Sequence, residues 1–342
     1  MIMRKYLVAA ACVLGSFAGR AQDINFSQFY ELPLLRNPAL AGSFKGDVRV
    51  TTAFRNQWAS VTTPYKTLGL GAELRLAAGA GSNNYFSTGM QVTHDIAGDS
   101  RLTRTQALPM FAFHKSLSED RDAYLTVGVV GGYVQQRFDP ARLKFSDQFV
   151  AGAYSAANPT RERFSDDSRN YGDLTIGASF STETATGTQY FIGGAVFHVS
   201  EPRVAFSADN DIRLNRKYVL NGGVNLFFNE DHRVLLYADV FVQGGHRQGQ
   251  GGALWQMYLG PQDDDLPVCL YAGALYRWND AFVPVVKLDY HQWCFGLSYD
   301  MNHSKLFSAS TLRGGFELTL SYRNFLNSGL SSLSATRCPK TF

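Results

Sequence analysis

The sequence predicts an all-β fold, a transmembrane antiparallel up-and-down β-barrel of about 14 strands. Hydrophobic side chains recur with a period of two in segments of roughly ten residues, which is typical of barrel strands. Beyond the first 21 residues, no uncharged apolar run approaches the ~20 residues that a membrane-spanning helix needs. Because an open sheet leaves backbone groups unpaired in lipid, strands that cross a membrane must close into a barrel.

Residues 1–21 have the features of a cleavable signal peptide. Basic residues are followed by an apolar stretch at residues 6–17, and small residues precede a cleavage site after Ala21. Cys12 offers a lipoprotein cleavage site instead, but that site would leave an apolar region of only six residues. We therefore expect an exported protein that begins at Gln22.

The net charge changes when this peptide is removed. Its loss takes away three of the 32 Lys and Arg residues and none of the 29 Asp and Glu residues, so the mature chain is formally neutral. A nucleic-acid-binding protein needs clustered positive charge. No nucleic acid is therefore expected among the partners.

Residues 22–45 differ from the rest of the chain because they are rich in aromatic residues and prolines and lack a period. They are too apolar for a free tail and too irregular for a strand. We expect this segment to plug the lumen of the barrel or to cover its periplasmic mouth, with Pro33 and Pro38 holding it in extended turns. Its candidate contact residues are Phe26, Phe29, Tyr30, Asn37 and Pro38.

The barrel is predicted at residues 46–323, and residues 324–342 form a C-terminal tail. Turn signals separate the strands, which alternate apolar and polar residues. The strands are expected near residues 46–57, 65–77, 84–95, 101–117, 121–137, 172–182, 189–199, 214–229, 232–244, 251–260, 266–277, 281–290, 292–302 and 312–323.

Alternation within the strands assigns their faces. In the last strand Leu318 alternates with Glu317 and Thr319, which places the leucine toward lipid and its neighbours toward the lumen. An arginine replacing Leu318 is therefore expected to be costly, and one replacing Thr319 to be tolerated if the lumen has space. Charged residues predicted to face the lumen, where opposite charges usually pair, are Glu73, Arg75, Asp239, Lys287, Asp289 and Glu317.

An even number of strands brings both ends of the barrel to the periplasmic side, so the odd-numbered connections are external. The two longest gaps, residues 138–171 and 200–213, are both odd-numbered. Pro109 and Pro284 fall inside predicted strands and suggest bulges or misplaced boundaries there. Aromatic residues at strand ends suggest interfacial girdles, and they include Trp58, Tyr65, Tyr85, Tyr124, Trp293 and Tyr322.

The rival fold is a soluble β-sandwich, since alternation also arises when one face of a sheet packs on a core. The glycine-rich inward faces and the number of linked strands leave too little large apolar volume for such a core. The barrel is therefore preferred.

The sequence contains no recognisable catalytic, cofactor or metal site. Its seven histidines are scattered without zinc-ligand spacing, and no nucleophile elbow is present. Cys269, Cys294 and Cys338 remain after cleavage, an odd number with wide spacing. The acidic patches at 209–211 and 263–265 do not continue into a calcium loop and are interpreted as solvated loop tips. We therefore expect a protein that is not an enzyme.

Several blocks of this sequence resemble the PorP/SprF family of Bacteroidetes outer-membrane proteins. The first is Phe26-Ser27-Gln28-Phe29-Tyr30 with Asn37-Pro38-Ala39, and Phe54-Arg55-Asn56-Gln57-Trp58 and Pro64-Tyr65-Lys66-Thr67 follow. The closing block Gly314-Gly315-Phe316-Glu317-Leu318-Thr319-Leu320-Ser321-Tyr322 and the Cys338-Pro339 pair are similar too. Together these blocks bracket almost the whole mature chain.

The resemblance implies an outer-membrane barrel that works with the type IX secretion system, with or without gliding motility. The implied partners are outer-membrane lipid, periplasmic secretion or motility proteins, and a secreted adhesin or cargo with a C-terminal sorting domain. Loop residues offered for such contacts are Tyr154, Arg161, Arg163 and Phe164, beside Arg55 and Trp58 from the family blocks. A barrel of the fatty-acid-transporter kind, taking up hydrophobic small molecules, remains the alternative. A polar lumen blocked by residues 22–45 would favour anchoring, and an apolar tunnel with a lateral opening would favour transport.

Overall fold

The computed structural model describes residues 23–58, 63–79, 82–118, 121–150, 152–162, 166–206, 211–260, 266–303 and 314–326. Fourteen antiparallel strands within these residues form one closed barrel, which confirms the predicted fold class. The predicted signal peptide, its cleavage after Ala21 and most of the predicted tail lie outside the described residues. In the parts of the chain that are described, no helical segment has the length and apolar character of a membrane-spanning helix.

The described residues contain sixteen strands, numbered here in chain order. They are β1 (Val48–Gln57), β2 (Tyr65–Ala77), β3 (Tyr85–Ala97), β4 (Leu102–Ser116), β5 (Ala123–Arg137), β6 (Phe149–Val150), β7 (Ala153–Tyr154), β8 (Ser168–Glu183), β9 (Gln189–Phe197), β10 (Lys217–Phe227), β11 (His232–Gln243), β12 (His246–Tyr258), β13 (Cys269–Arg277), β14 (Ala281–Tyr290), β15 (Trp293–Asn302) and β16 (Gly315–Asn324). β6 and β7 form a separate small hairpin in the connection between β5 and β8. The other strands each pair with two neighbours in the barrel.

The barrel closes where β1 pairs with β16, in a continuous register from Val48↔Asn324 to Gln57↔Gly315. Strand direction defines two ends. We call the end that carries the connections after β1, β3, β5, β9, β11, β13 and β15 the loop end. The opposite end, where β1 starts and β16 finishes, is the terminus end. The two longest connections between barrel strands, residues 138–167 and 198–216, both lie at the loop end.

Side chains alternate between the outer surface and the interior as the sequence predicts. In β16, Leu318 is 46% exposed, whereas Glu317 is 1% exposed and Thr319 is 6% exposed. All of the charged residues predicted to face the lumen do point inward, with Lys287 retaining a side-chain exposure of 13%. This pattern gives the barrel an apolar outer belt and a polar interior.

The two strand prolines cause neither a bulge nor a misplaced boundary, so that expectation was wrong. Pro109 lies inside β4 and stays in register with Met90 of β3. On its other side, the pairs Ala107↔Tyr133 and Met110↔Val130 keep one register across the proline. Pro284 sits in β14 in the same way. The strand tolerates a missing donor because its register is fixed by ladder pairs on both flanks.

Two of the aromatic residues predicted for the interfacial girdles point inward instead. Tyr85 is 0% exposed and Tyr124 is 2% exposed, and their ring centroids are 5.8 Å apart. Both occupy inward positions of the strand alternation, which overrides their location at strand ends. Trp293 and Tyr322 do lie on the outer surface, with ring centroids 5.0 Å apart.

Candidate functional site

The barrel interior holds the N-terminal segment of the chain itself. We call residues 23–47 the strap. At one extreme, Asp23 contacts Lys217, the first residue of β10 at the loop end. At the other, the backbone N–H of Asp47 donates to the carbonyl of Asn324, the last residue of β16, over 2.8 Å. The strap therefore runs through the lumen from the loop end to the terminus end.

Near the loop end, the strap backbone is fastened to β16. The N–H groups of Ser27 and Gln28 each donate to one carboxylate oxygen of Glu317, both over 2.7 Å. The Ser27 hydroxyl donates to Asp300 over 2.6 Å. Arg55 donates to the same Asp300 over 2.6 Å and also donates to the backbone carbonyl of Asn25. A buried carboxylate that accepts two backbone N–H bonds holds this part of the strap in one position.

In the middle of the lumen, aromatic residues of the strap pack on the wall. Tyr30 stacks on Tyr237 of β11 with ring centroids 5.2 Å apart, and Phe29 meets the same ring edge-on at 6.0 Å. Arg36 forms a bidentate pair with Asp239, over 2.8 and 2.6 Å, while its guanidinium lies 4.6 Å from the Phe29 ring centroid. Apolar contacts and an ion pair therefore hold the strap against the same wall strand, β11.

The strap does not use extended turns at its prolines, and that expectation was wrong. Pro33 and Pro38 each begin a short 3-10 turn, Pro33–Leu35 and Pro38–Leu40. Proline suits the first position of such a turn because its N–H would have no partner there. Asn37 caps the second turn, since its side-chain oxygen accepts from the N–H of Ala39 over 2.9 Å.

The amide of Asn37 also joins the strap to the wall. Its Nδ2 donates to the carbonyls of Ala178 and Gly194 and to Oδ1 of Asn221, over 3.1, 3.3 and 3.2 Å. The wall is glycine at the point of closest approach, where a Cβ on Gly177 would lie 2.0 Å from Asn37 Oδ1. Only glycine at this strand position lets the strap come so close.

At the terminus end, charged side chains of the wall hold the end of the strap. Glu73 accepts from the N–H of Gly42 over 2.9 Å and pairs with Arg49 at 2.5 Å. Arg75 donates to the carbonyl of Phe44 over 2.8 Å. Closer to the middle, Glu31 of the strap pairs with Lys287 of β14 at 2.6 Å.

The first described residue of the strap is enclosed by charge. Asp23 lies 2.9 Å from Arg104, 2.8 Å from His198 and 3.5 Å from Lys217. Burial raises the pKa of the Asp23 carboxyl, but His198, Lys217 and Arg104 outweigh it and hold that pKa well below its usual range. His198 is also 2.7 Å from Asp173 of β8. These residues gave no signal in the sequence, because they come from separate strands and form no motif.

The structure brings only some of the predicted contact residues together. Six of them lie together around the strap, namely Phe26, Phe29, Tyr30, Asn37, Pro38 and Arg55. Trp58 follows β1 at the loop end, where its ring packs edge-on against Tyr65 with centroids 4.8 Å apart, away from the strap contacts. Arg163 and Phe164 lie outside the described residues.

The loop between β5 and β8 carries the remaining predicted contacts. Tyr154 lies in β7, with its ring 5.5 Å from that of Phe149. The N–H of Arg161 donates to Asp147 over 2.7 Å, which ties the loop to itself. Phe149 and Val150 in β6 are 55% and 58% exposed. The hairpin therefore presents apolar side chains to the outside of the barrel.

The family model described as type IX secretion system membrane protein PorP/SprF matches residues 18–322. No protein with a curated description matches the chain.

Among solved structures, the chain is similar to a TodX monoaromatic hydrocarbon channel deltaS2 mutant, with 12% identity, a TM-score of 0.47, and coverage of 86% of this chain and 94% of that one. The translocator domain of the autotransporter NalP from Neisseria meningitidis has 12% identity and a TM-score of 0.32, covering 81% and 88% of the two chains. OccAB1 from Acinetobacter baumannii has 10% identity and a TM-score of 0.33, covering 84% and 98%.

Proposed function

The chain belongs to the PorP/SprF family of type IX secretion system membrane proteins, and on that premise we propose that it helps to secrete or anchor cargo at the cell surface. In this proposal the barrel sits in the outer membrane, with its loop end outside and its terminus end in the periplasm. It acts as a binding scaffold and not as an enzyme. Its partners are a secreted adhesin or cargo with a C-terminal sorting domain and periplasmic machinery proteins.

The observation that carries this proposal is the strap inside the lumen. A transport barrel needs a continuous path, whereas here the lumen contains a segment fixed by Glu317, Asp239 and Lys287 from three different strands. These charges meet partners from the strap and are therefore part of a packed interior. A polar lumen that holds the chain's own segment favours anchoring over uptake.

Binding to cargo is assigned to the irregular parts of the molecule. Functional contacts concentrate on loops that a rigid scaffold presents. The connection at residues 138–167 is long and lies at the loop end, and its hairpin exposes Phe149 and Val150. Clustered exposed apolar residues are typical of protein contact sites.

Deletion of residues 142–166, with a short Gly-Ser linker in their place, tests this role. The deletion leaves every barrel strand intact, so we expect a folded barrel in the outer-membrane fraction that no longer displays one co-encoded adhesin. Display is measured by surface proteolysis of the adhesin. A second variant, Phe29→Ala with Tyr30→Ala, tests whether the strap contributes as well. Unchanged display together with lost fatty-acid uptake would favour the transport barrel instead.

A further inference from the structure

The interior wall at the loop end presents three cationic side chains to a single point. Arg104 comes from β4, His198 follows the last residue of β9, and Lys217 begins β10. Their nitrogens lie 2.9, 2.8 and 3.5 Å from the carboxylate of Asp23. We call these three residues the cation cluster. Its members belong to the wall and the loop that leaves it, whereas Asp23 belongs to the strap.

Two members of the cluster, His198 and Lys217, have contacts that hold them in place without help from Asp23. His198 has a φ of 57°, a left-handed conformation that is uncommon outside glycine. Its Nδ1 lies 2.7 Å from Asp173, which fixes the orientation of the ring. The ammonium of Lys217 lies 5.0 Å from the ring centroid of Phe197 and 4.9 Å from that of Phe241. Such contacts restrict the long lysine side chain to the lumen surface.

A bound carboxylate lowers the excess positive charge of the cation cluster. Asp173 offsets one of the three cations, and Asp23 offsets a second. Without Asp23, a wall with two excess positive charges would remain at a site where the bound carboxyl group is only 12% exposed. Buried excess charge is costly and attracts a counter-charge of suitable shape.

We propose that the cation cluster is a carboxylate-binding site, occupied in this structure by Asp23 and open to the carboxylate of an external ligand when the start of the strap withdraws. Two sources present this chemistry at the loop end, a free organic acid or an acidic side chain of a secreted polypeptide. The site goes beyond the anchoring role proposed above, because it does not depend on the loop at residues 138–167.

The isosteric variant Asp23→Asn tests the proposal by vacating the site. We expect acetate to raise the melting temperature of the purified full-length Asp23→Asn barrel, and chloride at equal ionic strength to have no such effect. The wild type should bind acetate at least about tenfold more weakly, because Asp23 competes for the site. The double variant Asp23→Asn with Arg104→Gln should lose the response.

A stabilisation by chloride equal to that by acetate, or a response that survives Arg104→Gln, would overturn the proposal. If Asp23→Asn does not fold, the wild type gives a second measurement. Excess acetate should then speed proteolytic cleavage near residue 23, and an unchanged cleavage rate would equally overturn it. Titration of the Asp23→Asn barrel with acetate and with a tetra-aspartate peptide distinguishes the two sources. Tighter binding of the peptide would assign the site to a polypeptide, and equal binding to free acids.

Discussion

Single side chains of the strap carry much of its attachment, and Asn37 shows this most directly. Its oxygen caps a turn while its amide nitrogen faces three oxygen acceptors of the wall. Asn37→Ala should cost about 0.5–2 kcal/mol, as loss of a cap does. Asn37→Asp keeps the cap but turns the donor into a buried charge facing acceptors. We expect it to lower the melting temperature more than Asn37→Ala does.

Asn229 offers a matched control for that comparison. Its side-chain oxygen accepts from the N–H of Asp231 over 3.0 Å, but it lies on an exposed turn. Asn229→Asp should therefore leave the melting temperature of the purified barrel unchanged. Equal effects of the two aspartate variants would show that the Asn37 amide does not donate to the wall.

His198 and Asp23 give the attachment of the strap a defined pH range. Burial of the ring lowers the pKa of His198, but Asp23 and Asp173 outweigh it and raise that pKa to about 9. The stabilisation by protonated His198 is complete below about pH 6.5, the pKa of histidine in the unfolded chain. It is lost as the pH rises through 9. The lowered pKa of Asp23 acts in the opposite sense. Its contribution is complete above about 3.9 and is lost only as pH falls through the depressed value.

We therefore expect the start of the strap to become more sensitive to proteinase K as pH rises from about 7 to about 9.5. Asp23 also pairs with Arg104 and Lys217, and these contacts do not involve the histidine, so part of the protection should persist. His198→Gln should be more sensitive at neutral pH and should show no further loss on the alkaline side. An alkaline loss of the same size in that variant would assign the effect to another group.

Among the strands, most of the structure follows from local pattern. Alternation predicts β2, β14 and β15 to within a residue at each end, because the period of two is a property of neighbouring side chains. Aromatic residues at strand ends predicted a girdle position for Tyr85 and Tyr124, but the alternation places both inward. Pattern also says nothing of where β8 begins, since its first residues, Ser168–Tyr171, extend the wall without clear alternation.

The two faces of β16 are expected to resist arginine for different reasons. Leu318→Arg places a charge in the apolar belt and should cost roughly 2–4 kcal/mol. Thr319→Arg should also be costly, because Gln28 occupies the lumen beside this residue. The Oε1 atom of Gln28 lies 3.0 Å from the threonine hydroxyl. Ile212→Arg is the control, since Ile212 lies in the connection after β9 and is 57% exposed.

Folding into lipid vesicles at increasing urea concentration measures these three costs. A tolerated Thr319→Arg would mean that the strap does not occupy the lumen beside β16. A costly Ile212→Arg would show that this measurement does not distinguish a side chain exposed on the barrel wall from one exposed in a loop.

For the whole molecule, two ion pairs show which contacts the sequence can predict and which it cannot. Arg49 and Glu73 face each other across neighbouring strands, so their pairing follows once the strands are placed in register. Arg36 and Asp239 are 203 residues apart, and their pairing depends on the path of a segment without periodicity. Strand order is therefore accessible from sequence, and the contents of the lumen are not.

That separation predicts how the barrel behaves without its strap. The wall keeps its own pairs, such as Arg323 with Asp289 at 2.8 Å and Arg277 with Asp300 at 2.9 Å. Deletion of residues 26–42 should therefore leave a barrel that folds and inserts, with Asp239, Lys287 and Glu317 facing open water. We expect its single-channel conductance in planar lipid bilayers to exceed that of the wild type. Deletion of residues 142–166 removes only part of the connection between β5 and β8 and serves as the matched control with wild-type conductance. Equal conductance of wild type and strap-deleted barrel would mean that ions already pass beside the strap, and it would remove the main argument for an anchoring barrel.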